Sequence, residues 1–246
     1  MSVKSVYIPE PVIESGRLRI LGDEHQHLRV THADTGEIVE VFDGNGGVWT
    51  CKVETAGKRE TVVQILESRH VDRVEPELIL GLSFVKPSAF ELALEKAVEV
   101  GVTRIVPIIA SRSNLGPGQR PDRRSERYSE RWTRVIREAA KQSKRYYLPT
   151  IDEPAKFDSV LDYKATTKIV FAERGGGPLK SALAGAPADG PVFFLIGPEG
   201  GWTDAELDAA CYKGFALVGL GEGILRTETA AIVGAALIRY ELQRTS

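Results

Sequence analysis

Two glycine-rich stretches in the C-terminal half of the chain carry residue types that could hold and activate a small ligand. The first, Ile196-Gly197-Pro198-Glu199-Gly200-Gly201, lies between the apolar run VFFLIG and a Thr203/Glu206 capping box. The second, Leu220-Gly221-Glu222-Gly223-Ile224-Leu225-Arg226-Thr227-Glu228-Thr229-Ala230, joins FALVGLG to a closing helical stretch. Glycines at strand-to-helix turns let the backbone approach a ligand closely and turn N–H groups toward it. Each turn alone reads first as a tight connection with no ligand, and Arg226 alone as half of a surface ion pair. If both turns meet at one sheet edge they make a pocket. Arg226 at its rim could then stabilise developing negative charge, and Glu199 could accept or orient a proton.

The elements that must position these turns follow from periodicity. Residues 1–72 read as short strands: EIVEVFDGNGGVWTCKVE alternates around Asp43-Gly44-Asn45-Gly46, with Val39, Val41 and Val48 on one side, and TVVQILES adds another. A small β-barrel is the economical arrangement, because closure removes exposed edges. From residue 73 to 246 strands and helices alternate. LILGLSFV, RIVPIIA, KIVFAE, VFFLIG and FALVGLG are near-continuous apolar runs. Such runs between helices predict an α/β fold with a mostly parallel sheet covered on both faces. Ser88 with Glu91 reads as a capping box for the helix after the first of these strands, ending at Gly101. Thr227 reads as the N-cap of the closing helix over 227–242. Ligands in open α/β sheets bind beyond the carboxyl ends of the strands, which is where both glycine turns fall.

Charge is uneven. The whole chain is at −2, yet residues 112–145 hold eleven Lys/Arg against four acids. Within that segment Trp132, Val135, Ile136, Ala139 and Ala140 fall at helical spacing, so the cations belong to a helix and its flanks. A local excess of seven positive charges fits a phosphate-bearing partner as well as it fits a solvated face. No apolar run is long enough to span a membrane, and the N-terminus lacks a signal peptide's apolar core, so a cytoplasmic protein is expected. Cys51 and Cys211 are in no metal or redox spacing and read as two buried, inert thiols. The four histidines, His25, His27, His32 and His70, read as surface or RNA-facing groups. A zinc site on His25 and His27 lacks a third ligand nearby, so no metal is expected. A nicotinamide-dependent oxidoreductase is disfavoured, because no G-x-G-x-x-G follows the first strand of the α/β region. Walker A, H-E-x-x-H and G-x-S-x-G motifs are also lacking.

Taken in order, GPEGGWTDAEL (197–207), LGEGILRTETA (220–230), LEKAVEVGVTRIVP (94–107), SRS (111–113) with RWTRVIREAAKQSKR (131–145), and FDG (42–44) resemble the motifs of the RsmE family of 16S ribosomal RNA (uracil-N3) methyltransferases. The resemblance spans nearly the whole chain. It departs at Val30-Thr31-His32, where the family commonly has Val-Leu-Arg, which puts one RNA contact in doubt. It implies a PUA-like β-barrel over 1–72 that recognises RNA, and a SPOUT methyltransferase domain over 73–246 with a C-terminal trefoil knot, a topology that general connection rules would not suggest. It further implies a homodimer, S-adenosyl-L-methionine as methyl donor, and a uridine of the small-subunit RNA as substrate. The cofactor site is expected from Ala172, Glu173, Ile196, Gly197, Pro198, Gly200, Gly201, Leu220, Gly221, Ile224, Leu225 and Thr229. Leu220, Ile224 and Leu225 would pack near the adenine. Arg226 and Glu199 are the expected catalytic pair. Lys86, Arg112, Arg131, Arg134, Arg137, Lys141 and Arg145 are expected on RNA phosphates. Two rivals remain: a SPOUT enzyme with another target such as the ribose 2′-oxygen, and a non-catalytic RNA-binding assembly factor.

Overall fold

A computed structural model describes residues 3–113, 125–185, 187 and 189–244. Arg120, Arg123 and Arg124 of the basic run lie outside the described residues. The chain forms two compact units, Met1–Arg73 with Ala140–Leu148, and Val74–Ala139 with Pro149–Ser246.

The first unit contains β1 (Lys4–Tyr7), β2 (Ile13–Glu14), β3 (Arg17–Ile20), helix α1 (Gly22–Val30), β4 (Ile38–Phe42), β5 (Gly47–Ala56) and β6 (Thr61–His70). These strands make one six-stranded sheet in the order β1-β4-β5-β6-β3-β2. The β4–β5 hairpin forms, but not all three valines share one side as expected. Val39 and Val41 are fully buried and share a core with Val6, Leu18, Ile20 and Val63, whereas Val48, also buried, lies opposite Phe42 and so faces the other side of the sheet from Val39 and Val41. Its turn is held by Asp43, whose Oδ1 accepts from the N–H groups of Asn45 (2.7 Å) and Gly47 (2.9 Å). Gly44 and Gly46 take left-handed backbone there.

Segment Ala140–Leu148, expected with the second region, groups with the first. Its contacts are long-range. Lys144 Nζ donates to Ser5 Oγ (2.6 Å) and Glu40 Oε1 (2.8 Å), and the Tyr146 hydroxyl donates to Glu40 (3.0 Å). The backbone closes on the hairpin through Gly46 N–H to Tyr146 O (3.0 Å) and Leu148 N–H to Gly44 O (3.0 Å). Burial opposes ionisation of Glu40, but Lys144, Tyr146 and Arg69 outweigh it and hold its pKa below the usual carboxylate value.

The histidine and cysteine expectations need correction. His25 is buried, with Nδ1 2.9 Å from Thr61 Oγ1, so it is a core residue of the first unit. Cys51 is buried, and desolvation pushes its thiol up to about 12, whereas Cys211 is exposed.

The second unit contains β7 (Leu78–Ser83), α2 (Pro87–Glu99), β8 (Arg104–Ile109), α3 (Ser125–Ser143, its end grouped with the first unit), β9 (Thr150–Ile151), β10 (Ala155–Lys156), α4 (Phe157–Val160), β11 (Thr167–Phe171), α5 (Leu179–Leu183), β12 (Val192–Ile196), α6 (Asp204–Tyr212), β13 (Ala216–Val218) and α7 (Thr227–Arg244). The sheet runs β10-β8-β7-β12-β11-β13, with β9 also on β8, and every pairing is parallel. All five apolar runs are strands of it. β7 and β12 are buried at every residue because they lie inside the sheet with both faces covered. Helix α2 starts one residue before the predicted Ser88 cap: Lys86 is the N-cap and Pro87 the first helical residue. Proline's fixed φ favours that start and its missing N–H costs nothing there. In α3, Trp132, Ile136, Ala139 and Ala140 are buried, and the Trp132 ring lies 4.8 Å from that of Phe90.

Among the described residues, no helix is long and apolar enough to cross a membrane, and no group of three or more His, Cys, Asp or Glu could hold a metal ion.

Candidate cofactor pocket

Because the sheet is parallel, the carboxyl ends of its strands share one edge. A cavity of about 410 Å³ opens there, walled by the segments that follow β11, β12 and β13. This falls within the range of small-molecule sites, roughly 300–1,000 Å³.

The first wall is the 196–202 turn. Gly201 N–H donates to Pro198 O (2.8 Å), and Gly201 takes a left-handed φ of 67° that a residue with a side chain would resist. The Trp202 indole packs on Gly197, where a Cβ would meet it at 3.0 Å, and Trp202 Nε1 donates to Phe171 O (3.0 Å). Thr203 then caps α6 in the predicted capping box: Thr203 N–H donates to Glu206 Oε2 (2.8 Å) and Glu206 N–H to Thr203 Oγ1 (3.2 Å). Glu206 Oε1 accepts from Ser111 N–H (2.8 Å). Burial opposes ionisation of Glu206, but the Ser111 and Thr203 donors outweigh it, so its pKa lies below the usual value.

The second wall is the 220–227 loop. Thr227 opens α7, and its buried hydroxyl donates to Gly197 O (3.0 Å) instead of capping its own helix. That bond joins the two glycine turns directly. Gly221 adopts a φ of 106°.

The third wall, Glu173 and Arg174, follows β11 and leads into three glycines. There the backbone is laced to the end of β13: Gly177 N–H donates to Leu217 O (2.9 Å) and Gly219 N–H to Gly177 O (3.2 Å). A Cβ on Gly176 would fall 2.2 Å from Gly219 N, so only glycine lets the two backbones come this close.

Most of the expected cofactor residues meet at this cavity: Ala172, Glu173, Ile196, Gly197, Pro198, Gly200, Gly201, Leu220, Gly221 and Leu225 line it. Ile224 and Thr229 do not line it; Ile224 is 78% exposed, pointing its apolar side chain to solvent. Glu199 and Arg226 are exposed, each between two neighbours that do line the cavity. Phe171, Arg174, Trp202 and Asp204 line it without having been singled out, and Thr227 lines it although it was expected only as a helix cap. Thr227, read as a helix cap, gave no signal of a partner 30 residues away, and in the third wall Glu173 was expected while Arg174 was not, though the glycine run after KIVFAE could have flagged it.

The expected phosphate contacts divide. Lys86, Arg131, Arg134 and Arg137 are exposed, and Arg131 donates to Glu91 (2.8 Å). Lys141 is 4% exposed and donates to Glu24 (3.1 Å), so its ammonium is not offered to solvent. Arg145 is half-buried, and desolvation lowers its pKa. Arg112 lines the cavity itself.

A glycine-turn pocket at the carboxyl edge of a parallel sheet is the arrangement of a small-ligand or cofactor enzyme, and the family comparisons give its class. Residues 73–239 match the model described as RNA methyltransferase domain, and residues 22–66 the model described as RNA methyltransferase PUA domain. The ribosomal RNA small subunit methyltransferase E of a Synechocystis strain is 32% identical over 99% of this chain and 79% of its own length. The crystal structure of the same-named protein from Neisseria gonorrhoeae, bound to S-adenosyl methionine, superposes with a TM-score of 0.86 at 28% identity, covering 97% of this chain and 98% of that one. A Legionella pneumophila methyltransferase in complex with the same cofactor gives 0.87 at 25% identity, covering 98% of each chain. The chain belongs to the ribosomal RNA small subunit methyltransferase E family.

Proposed function

We propose that this protein transfers the methyl group of S-adenosyl-L-methionine to N3 of a uridine in the 16S ribosomal RNA of the small subunit. The observation that carries the proposal is the convergence of both glycine turns on one cavity, joined by Thr227 to Gly197 O, in a chain whose relatives are crystallised with this cofactor.

The residues present fit the cofactor. Apolar Leu220 and Leu225 can flank a flat base, backbone groups of the turns can meet ribose and amino-acid polar atoms, and Glu173 and Asp204 supply carboxylates. The bound cofactor supplies an electrophilic methyl group on a sulfonium. The chain supplies orientation and electrostatics for an in-line displacement. Uracil N3 becomes nucleophilic once its proton leaves, and the charge then spreads to the flanking carbonyl oxygens. Arg226, exposed beside the cavity between Leu225 and Thr227, stabilises that charge. Glu199, exposed between Pro198 and Gly200, accepts the proton or orients the base.

The first unit acts as a PUA-like β-barrel domain that recognises RNA shape, and the second unit acts as the SPOUT catalytic domain. A trefoil knot is supported by the path of the chain. It leaves the edge strand β13, returns past Gly197 beside β12, and packs α7 on α2. Exposed Lys86, Arg134 and Arg137 serve as phosphate contacts, which position RNA without reading its sequence. A homodimer in the cytoplasm is the working form; exposed Leu92 on α2 and Leu237 and Tyr240 on α7 offer an apolar face to a second copy.

The test is transfer of labelled methyl to small subunits from a strain lacking this enzyme, followed by nucleoside mass spectrometry. N3-methyluridine is the expected product. Label on a ribose 2′-oxygen makes the protein a methyltransferase of another target, and cofactor binding without transfer to any RNA makes it a binding factor.

A further inference from the structure

The charge pattern assigns Arg112 to RNA, but its surroundings give it other work. Nη1 donates to Gly200 O (3.0 Å) and to Trp202 O (3.3 Å), two carbonyls of the first glycine turn. Its aliphatic stem lies across Gly200, where a Cβ would sit 3.2 Å from Arg112 Cβ and 3.4 Å from Cδ. Gly200 does not have a left-handed φ, so what a side chain there would meet is the arginine stem, which would have to give by a few tenths of an ångström. The arginine is itself held. Ser113 Oγ accepts from Ala110 N–H (2.9 Å) and Ser113 N–H donates to Ala110 O (3.1 Å), fixing the turn that leaves β8. Ser111 N–H is tied to Glu206, whose side chain also completes the α6 capping box with Thr203. The exit of β8 is thus fastened to both ends of the 200–206 segment.

We propose that Arg112 is a positioning residue for the cofactor turn and not a phosphate contact; this rests on reading the cavity as the S-adenosylmethionine site. Two carbonyls aimed at one point repel each other. A guanidinium between them removes that repulsion and fixes both peptide planes. The Gly200 carbonyl shares its peptide with the Gly201 N–H that closes the Pro198–Gly201 turn, so holding one orients the other.

Calorimetric titration with S-adenosylmethionine and filter binding of a 16S RNA fragment across a salt series test this together. Arg112→Ala removes the cation, Gly200→Ala displaces it while leaving it charged, and Arg112→Lys keeps a shorter cation. Both alanine variants are expected to raise the cofactor dissociation constant and its KM about tenfold, as for lost charge-assisted hydrogen bonds at a partly exposed wall. The kcat at saturating cofactor and the thermal midpoint without ligand should stay near wild type, and the lysine variant should recover part of the loss. RNA salt slopes should match wild type in all three. Unchanged cofactor affinity in the alanine variants, with a salt slope shallower by about one in Arg112→Ala, overturns the proposal in favour of a phosphate contact. If Arg112→Ala fails to fold, Arg112→Met, which keeps the stem and removes the charge, is read in the same two assays and decides. Wild-type protein that binds no S-adenosylmethionine would instead remove the reading of the cavity on which the proposal stands.

Discussion

Thr227→Val deletes one hydroxyl and keeps the shape of a side chain that is 4% exposed. The lost bond, 3.0 Å from Thr227 Oγ1 to Gly197 O, is the direct tie between the two glycine turns. A neutral hydrogen bond contributes about 1 kcal/mol net, and a half-buried carbonyl left without its donor raises the cost to about 2 kcal/mol. If the tie belongs to the arrangement that accepts the cofactor, that energy appears as weaker binding, a factor of roughly 5 to 30. Calorimetry with S-adenosylmethionine reads the factor, and thermal melting of the ligand-free protein shows how much of the loss is general instability. Thr227→Ser keeps the hydroxyl and should bind within about twofold of wild type. Valine and wild-type proteins with equal dissociation constants would refute the claim that the turns act as one site.

Arg226→Ala should lower kcat by about 100- to 1,000-fold, the scale for removing one oxyanion-type donor, while cofactor binding by calorimetry persists. Arg239 is 7% exposed and fastens α7 with bonds to Pro76 O (2.7 Å) and Gly101 O (2.7 and 3.2 Å). Arg239→Met should therefore cost about 2–4 kcal/mol and lower the thermal midpoint by roughly 5–15 °C, with a midpoint within 2 °C of wild type counting against the clamp. For Glu206, whose folded pKa is depressed, the stabilisation is present above its unfolded value of about 4.3 and is lost as pH falls through the folded value. Glu206→Gln should be less stable than wild type at pH 7 in urea titrations, and the gap should narrow as pH falls below the unfolded value and through the folded one; a gap independent of pH would show that ionised Glu206 is not what holds Ser111 and Thr203.

What could be read from the sequence was what short-range rules govern. The five apolar runs became strands because an interior parallel strand needs apolar residues on both faces, and Thr203 with Glu206 capped α6 as their spacing required. Ser88 did not cap α2, because Pro87 already fits the first helical position. The fate of the basic run was illegible for a different reason. Lys141 and Lys144 look like neighbours of Arg134 and Arg137 on a charged face, yet their partners are Glu24 and Glu40, more than a hundred residues away. The same holds at the candidate site. Glycine spacing marked two walls, but their meeting depends on Thr227 reaching Gly197, and Arg112 reaching Gly200 turned an expected surface cation into part of the cavity wall.

The central claim is that both glycine turns close on one molecule of cofactor. Titration of isotope-labelled protein with S-adenosylmethionine, followed by backbone amide resonances, tests it most directly. The amides of Gly200 and Gly201 and those of Gly221 and Leu225 should shift together and saturate at a single dissociation constant. Movement of one set while the other stays still, or saturation of the two at different concentrations, would contradict a shared site.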